Sequence, residues 1–299
     1  MIPVPSLAEA LRHTGQELNQ ILDRLLPPVE GPEARVHAAM RYAALDGGKR
    51  LRPFLVLQTA HLFGVAQQAA ERTAAALEMV HCYSLVHDDL PAMDDDDLRR
   101  GRPTCHKQFD DATAILAGDG LLTLAFEVLA GPETHSDPQV RCALIAELAQ
   151  AAGARGMVGG QMIDLEAETQ PDLDVAAITR LQQMKTGRLI EFACQAGAIL
   201  GKAPHQQRHA LRAYAHDIGL AFQIADDLLD VVGDPEAVGK GLQKDAQAGK
   251  ATFVSLLGVD RARAQAEMLV DQAIRHLDSF DEKADLLRQT ARFIIERNS

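Results

Sequence analysis

Across 299 residues the chain contains no run in which β-branched or aromatic residues alternate with polar ones, the pattern that a half-buried strand requires. Helices must therefore carry the fold. Aromatic residues make up 4% of the chain and Trp is absent, so Ala and Leu have to supply the core. Ser6 stands where a helix N-cap belongs. Behind it Leu7, Leu11, Leu18, Ile21, Leu22 and Leu25 recur at helical spacing until Pro27 and Pro28 stop the segment. The same reading predicts further helices over about 34–46, 53–63, 67–90, 110–130, 138–156, 158–168, 174–201, 205–232, 250–277 and 281–296, with Gly or Pro at most of the breaks.

No compositional shift or Pro/Ser/Gly-rich linker divides the chain, so a single all-α domain over 1–299 is expected. Hydrophobic residues at 47% and charged residues at 24% exclude disorder and low complexity. The 30 Lys and Arg against 42 Asp and Glu leave a formal net charge of −12. That charge speaks against a broad nucleic-acid footprint, and an anionic ligand would need a local basic pocket. Cys82, Cys105, Cys142 and Cys194 show neither CxxC pairing nor metal-ligand spacing and read as packing thiols of a reducing compartment. The opening MIPVPSLAEALRH lacks the basic start and apolar run of a signal peptide. The longest stretch without Lys, Arg, Asp or Glu, Pro53 to Ala70, is interrupted by Gln58, Thr59 and His61. A cytoplasmic protein without membrane insertion is the expectation.

Two carboxylate clusters stand out. Asp88, Asp89, Asp94, Asp95, Asp96 and Asp97 fall within ten positions, and such a concentration repels itself unless something positive binds. His81, Ser84 and Asp88 share one helix face, and Pro91 forces a turn that can bring Asp94 back beside Asp88. Taken alone, most aspartate runs are solvated loops. An EF-hand is excluded, since Leu98 and Arg99 follow directly where alternating ligands and a mid-loop Gly are needed.

In the second cluster Gln223, Asp226, Asp227 and Asp230 lie on a helix whose other face is Ile218, Phe222, Ala225, Leu229 and Val232. Asp226 and Asp230 are i, i+4 neighbours, a repulsive spacing that a divalent cation relieves. Oxygen-only ligands favour Mg²⁺, with Mn²⁺ as a substitute, and Mg²⁺ held by few carboxylates completes its shell with water and phosphate. A phosphorylated substrate follows.

The cations that such a substrate needs are clustered. Gly47-Gly48-Lys49-Arg50-Leu51-Arg52-Pro53 carries three, and Arg99 and Arg100 follow the acidic loop. Lys185-Thr186-Gly187, Lys240 and Lys250 add three candidate phosphate ligands. Ala43 through Lys49 approaches a P-loop, but Arg50 stands where Ser or Thr is required and no strand precedes it.

In combination these motifs resemble the trans-prenyltransferases. Asp88-Asp89-Leu90-Pro91-Ala92-Met93-Asp94 with Arg99-Arg100-Gly101 is similar to the family's first aspartate-rich motif, and Gln223 through Asp230 to its second. Gly47 through Pro53, Gly160-Gln161 with Asp164, Lys185-Thr186-Gly187, and Gly239-Lys240 through Asp245 and Lys250 fall in the family's order. The resemblance implies a helical bundle around a central cavity, a homodimer, and two diphosphate subsites. Asp88, Asp94 and Asp226 would coordinate Mg²⁺, supported by Asp89, Asp227 and Asp230. Arg99, Lys185, Thr186, Gln223 and Lys240 would hold an allylic diphosphate, and Lys49, Arg52, His81 and Arg100 isopentenyl diphosphate. His87 reads as structural. The implied reaction joins isopentenyl diphosphate to dimethylallyl or geranyl diphosphate, giving farnesyl diphosphate. Tyr83 would be the floor that stops elongation, although a helical wheel puts Ser84 directly beneath Asp88 and Tyr83 about 100° to its side. Geranyl or geranylgeranyl diphosphate is the next expected product. Mobile lids are expected near 234–250 and at the C-terminus.

Three other readings compete. His87-Asp88 with His61 and His81 could form an HD-type metal phosphohydrolase, but that leaves Asp226 to Asp230 without a task. Terpene cyclases mix Asn, Ser or Thr with Glu in their second metal motif, unlike Asp226-Asp227 with Asp230. An inactive scaffold predicts damaged motifs, and these are intact.

Overall fold

The computed structural model describes residues 6–45, 47–167, 174–232 and 252–296. The chain runs through helices α1 (Leu7–Leu25), α2 (Ala34–Ala44), α3 (Leu51–Leu62), α4 (Gln67–Asp88), α5 (Cys105–Gln108), α6 (Asp111–Ala130), α7 (Pro138–Ala152), α8 (Met157–Ala167), α9 (Val175–Gln182), α10 (Arg188–Leu200), α11 (His205–Val232), α12 (Phe253–Leu257), α13 (Val259–His276) and α14 (Asp285–Glu296). The strands described are Leu98–Arg99 and Arg102–Pro103, which pair antiparallel as a small hairpin. Ser6 caps α1 in a reciprocal pair with Glu9, which satisfies two of the backbone donors that a helix start leaves open.

α4 and α10 form the centre. α4 buries residues on every side, among them Ala74, Ala75, Ala76, Leu77, Met79 and Val80, and α10 is buried from Leu189 to Leu200 except at Glu191. A helix apolar all round has nowhere to sit but inside. α3, α6, α7 and α11 pack around this pair. Among the described residues α6 is long and apolar enough by composition to cross a membrane, yet Ala114, Ala117, Leu121 and Ala125 are fully buried and the helix lies against α4 and α2. Its other face leaves Ile115 and Leu116 exposed.

Three boundaries differ from the sequence reading. The segment expected as one helix over 174–201 is interrupted at Gln183–Gly187 by a π-helical turn, which widens the coil around Lys185. The helix expected over 250–277 is split at Gly258, whose φ of 80° no other residue type adopts as readily. The helix expected to reach 156 ends at Ala152, and a turn with a Gly156 to Gly153 backbone bond replaces its last part. Cys142 is a surface thiol, not a packing residue, whereas Cys82, Cys105 and Cys194 are buried as expected.

Candidate active site

The acidic loop begins where α4 stops. Pro91 cannot extend the helix, and the chain folds back so that the Asp94 N–H donates to the Asp88 carbonyl at 2.8 Å and the Asp95 N–H to the Leu90 carbonyl at 3.2 Å. Asp95 takes a left-handed conformation to close the turn. Asp88 and Asp94 are thereby neighbours. Burial pushes the Asp88 carboxyl up to about 6; Lys185 opposes that rise and the Asp94 charge adds to it. Asp89 points the other way. It is 2% exposed and accepts from Arg99 Nε at 2.7 and 2.8 Å, with Nη2 at 2.5 Å. With Nε and Nη2 committed to Asp89, Arg99 offers a ligand chiefly Nη1.

Beyond Arg99 the hairpin turns at Arg100 and Gly101, both with positive φ. The turn sends the Arg100 guanidinium onto the backbone of Gly47 and Gly48. A Cβ at Gly48 would stand 2.6 Å from Arg100 Cζ, so only glycine admits the arginine there. At the start of α3, Arg52 Nε is buried with no hydrogen-bond partner among the described residues. Burial lowers the Arg52 pKa, while the Glu78 and Asp226 carboxylates work against that loss. His81 is ringed by Arg52, Arg100, Arg50 and Arg99; burial first, then those cations, hold its imidazole well below the ordinary range. At neutral pH it is an uncharged donor. Lys49 is exposed on the same loop.

The third wall is α8 with the π turn. Lys185 Nζ lies 2.6 Å from Asp164 Oδ2. The two segments meet backbone to backbone, since a Cβ at Gly160 would be 2.3 Å from the Lys185 nitrogen and 2.7 Å from its Cα. Thr186 is half-buried beside Lys185. Gln161 Nε2 is buried without a partner among the described residues.

α11 closes the site. Gln223 is buried, and Asp226 and Asp230 are half-buried, with Asp226 within electrostatic reach of Arg52. Asp227 departs from the sequence reading. It sits on the buried side of α11, 5% exposed, and accepts the Phe253 N–H at 2.8 Å, tying the start of α12 to α11. Phe222 and Leu229, expected on the apolar face, are only half-buried, and Ala221 and Ile224 fill the core in their place. Tyr83 is nearly buried between α4 and α6, edge-on to His87 at 5.2 Å; burial, then Asp88 and Asp119, raise its hydroxyl pKa. The Ser84 hydroxyl donates to the carbonyl of His81 one turn back. His87 Nε2 lies 3.0 Å from the Ile115 carbonyl and is spent on packing. Lys240, Lys250 and the expected lids near 234–250 and at the end of the chain lie outside the described residues.

One of the three cations expected in the Gly47–Pro53 segment faces inward, and its partner Glu78 escaped the sequence reading. Arg50 is 4% exposed and pairs with Glu78 at 2.6 Å; its burial among four clustered basic and glycine residues left no periodic signal. The surface depression lined by Phe63, Val65, Pro132 and His135 lies at the far end of α4 and contains none of these groups.

A family model described as polyprenyl synthetase matches residues 33–290. The farnesyl diphosphate synthase of Escherichia coli (strain K12) is 47% identical over 291 residues, covering 95% of this chain and 96% of that protein. The farnesyl diphosphate synthase of Haemophilus influenzae is 43% identical over 298 residues, covering 98% and 99%. A solved apo structure from Zymomonas mobilis, described as an FPP/GFPP synthase, superposes with a TM-score of 0.88 at 52% identity, covering 97% of this chain and 98% of that one.

Proposed function

Because the chain belongs to the polyprenyl synthetase family, we propose that it condenses isopentenyl diphosphate with dimethylallyl or geranyl diphosphate to give farnesyl diphosphate. The observation that carries this reading is the division of the cations at one end of the bundle. Lys185 lies within electrostatic reach of Asp88 on one side, and on the other Arg52 and Arg100 stand about the neutral His81, with Arg100 seated on Gly47 and Gly48. In this reading the two sets of basic groups each take one diphosphate.

In this reading Lys185, Thr186, Gln223, Arg99 and Lys240 bind the allylic diphosphate. Lys49, Arg52, His81 and Arg100 bind isopentenyl diphosphate, His81 donating one N–H while the three cations supply charge. Arg52 Nε, buried and without a partner among the described residues, supports a ligand there, because such a donor is costly to leave unmet. Negative charge grows on the allylic diphosphate as its C–O bond breaks, and Lys185 and Arg99 are placed to stabilise it. The double bond of isopentenyl diphosphate then attacks the allylic carbon, and the released diphosphate takes the proton that is lost. The apolar interior keeps water from the cation.

Asp88, Asp94 and Asp226 are the residues that would hold Mg²⁺ or Mn²⁺. Among the described residues no three His, Cys, Asp or Glu side chains converge as a complete cage. In this reading the remaining ligands would be water and phosphate, and a cation would relieve the burial and the Asp94 charge that raise the Asp88 pKa against the opposing pull of Lys185. When bound, such an ion acts as a Lewis acid on the leaving diphosphate. The exposed Ile115 and Leu116 on α6 support a homodimer, and the reading is of a cytoplasmic enzyme.

The experiment is incubation with isopentenyl diphosphate and dimethylallyl or geranyl diphosphate, with Mg²⁺ or with chelator, resolving products by chain length. A Mg²⁺-dependent fifteen-carbon diphosphate, lengthened in Tyr83→Ala, is the expected result. A longer product from the unaltered chain removes Tyr83 from the role of floor. Release of free phosphate without condensation refutes the reading in favour of a phosphohydrolase.

A further inference from the structure

Arg50 lies inside the cluster of isopentenyl diphosphate ligands proposed above, flanked by Lys49 and, two residues on, Arg52, yet its side chain turns away from them into the core. Nη1 donates to Glu78 Oε1 at 2.6 Å, and Nη2 donates to Asn19 Oδ1 at 2.9 Å and to the Ala44 carbonyl at 2.8 Å. One guanidinium therefore joins α1, the end of α2, the start of α3 and the middle of α4. Both side chains of the Arg50–Glu78 pair are 2% exposed, so no substrate reaches either. The backbone records the same constraint: Arg50 holds a left-handed conformation, φ 50° and ψ 33°, at the N-cap of α3, a state that side-chain-bearing residues adopt at a cost.

We propose that Arg50 and Glu78 are positioning residues for the isopentenyl diphosphate subsite: the buried pair fixes the Gly47–Arg52 loop against α4, and with it Lys49, Arg52, His81 and the seat of Arg100. Each of those four depends on it directly. Lys49 is the residue before Arg50, and Arg52 lies in the first turn of the helix that Arg50 caps. His81 stands three residues after Glu78, on the same face of α4. Arg100 rests on Gly47 and Gly48, the residues that enter the left-handed turn. The allylic ligands lie on α8, the π turn, α11 and, with Arg99, the hairpin, and none of them bonds to Arg50 or Glu78.

The inference rests on the proposed function, and the experiment separates the two. KM for isopentenyl diphosphate and for geranyl diphosphate, kcat, and thermal stability are measured for the unaltered enzyme, Arg50→Lys, Glu78→Gln, and the apolar double variant Arg50→Met with Glu78→Leu. Replacing both members of a buried ion pair by apolar residues of similar size is often neutral or stabilising, and the melting temperature of the double variant reads any cost of the Asn19 and Ala44 acceptors left without a donor apart from the change in KM. Expected is a rise of about tenfold or more in KM for isopentenyl diphosphate in all three variants, as a loop shift near 1 Å produces, with KM for geranyl diphosphate within about twofold. A double variant of unaltered stability and unaltered KM overturns the proposal, because the pair is then only structural. An unaltered or improved KM in Glu78→Gln also overturns it, because freeing Arg50 then helps and Arg50 contacts substrate. Equal rises for both substrates overturn it as general loosening. An unaltered enzyme that fails to condense the substrates refutes the function itself and is seen before any variant is compared.

Discussion

Gly160→Ala is the smallest change that should disable this site without touching a charged group. The added Cβ would lie 2.3 Å from the Lys185 nitrogen, 2.7 Å from its Cα and 2.8 Å from the Met184 carbonyl carbon. Ordinary carbon contacts lie at about 3.5–4.0 Å, and all three obstacles are backbone, so α8 and the π turn must part by roughly 1 Å. Overpacking of this kind costs about 1–3 kcal/mol, against about 0.5–1 kcal/mol gained by removing a helical glycine. The expected net loss is up to about 2.5 kcal/mol, and for 299 residues each kcal/mol lowers the melting temperature by about 1.6 °C. The rate should fall further, since a displacement near 1 Å of a group that stabilises developing charge costs about 10²-fold. Gly187→Ala is the control, as its Cβ would meet nothing closer than 3.7 Å; its melting temperature should hold or rise. Steady-state condensation rates and thermal unfolding of both variants provide the assay. Unaltered stability and turnover in Gly160→Ala would show that the close approach of the two backbones is not what seats Lys185.

Asp88→Ala and Asp226→Ala should each cut turnover by orders of magnitude with the fold intact. Asp89→Ala, by contrast, strands the partly buried Arg99 and should also cost stability, by about 2–3 kcal/mol; equal melting temperatures for Asp89→Ala and Asp226→Ala would contradict that division. The pKa of Asp88 is raised to about 6, so the folded chain holds this proton more tightly than the unfolded one. Its contribution to stability is full below the ordinary carboxylate pKa near 3.9 and is lost as pH rises through about 6. In chelator, the difference in melting temperature between the unaltered chain and Asp88→Asn should therefore widen between pH 5 and 7 in favour of the variant; a constant difference rules this out. Leu116→Glu places a charge on the exposed face of α6 and should yield a monomer in sedimentation analysis, and a dimer that survives it moves the interface elsewhere.

What could be read from the sequence was what depends on neighbours along the chain. The Ser6 cap, the apolar runs of α1 and α4, and the return of Asp94 to Asp88 after Pro91 all follow from spacing and local backbone preference. What could not be read depends on residues far apart. Gly160 looks like any helical glycine until Lys185 is found against it, and the π turn at Gln183–Gly187 has the composition of ordinary helix. Arg50 and Asp227 belong to motifs whose other members read as ligands, and only the partners Glu78 and the Phe253 N–H show that these two face inward. Asp89 was grouped with the cation ligands for the same reason, although its lone pairs are occupied by Arg99.

Asp88 with Asp89 and Asp226 with Asp227 share one arrangement. The first aspartate of each pair is half-buried, and the second is buried and holds another part of the chain, the Arg99 hairpin in one case and the start of α12 in the other. Adjacent letters therefore answer to separate physical demands. A descendant released from catalysis could vary Asp88 and Asp226 freely while still requiring Asp89 and Asp227 to fold, so a related chain that keeps only the second letter of each pair is one that has retained the architecture and given up the reaction.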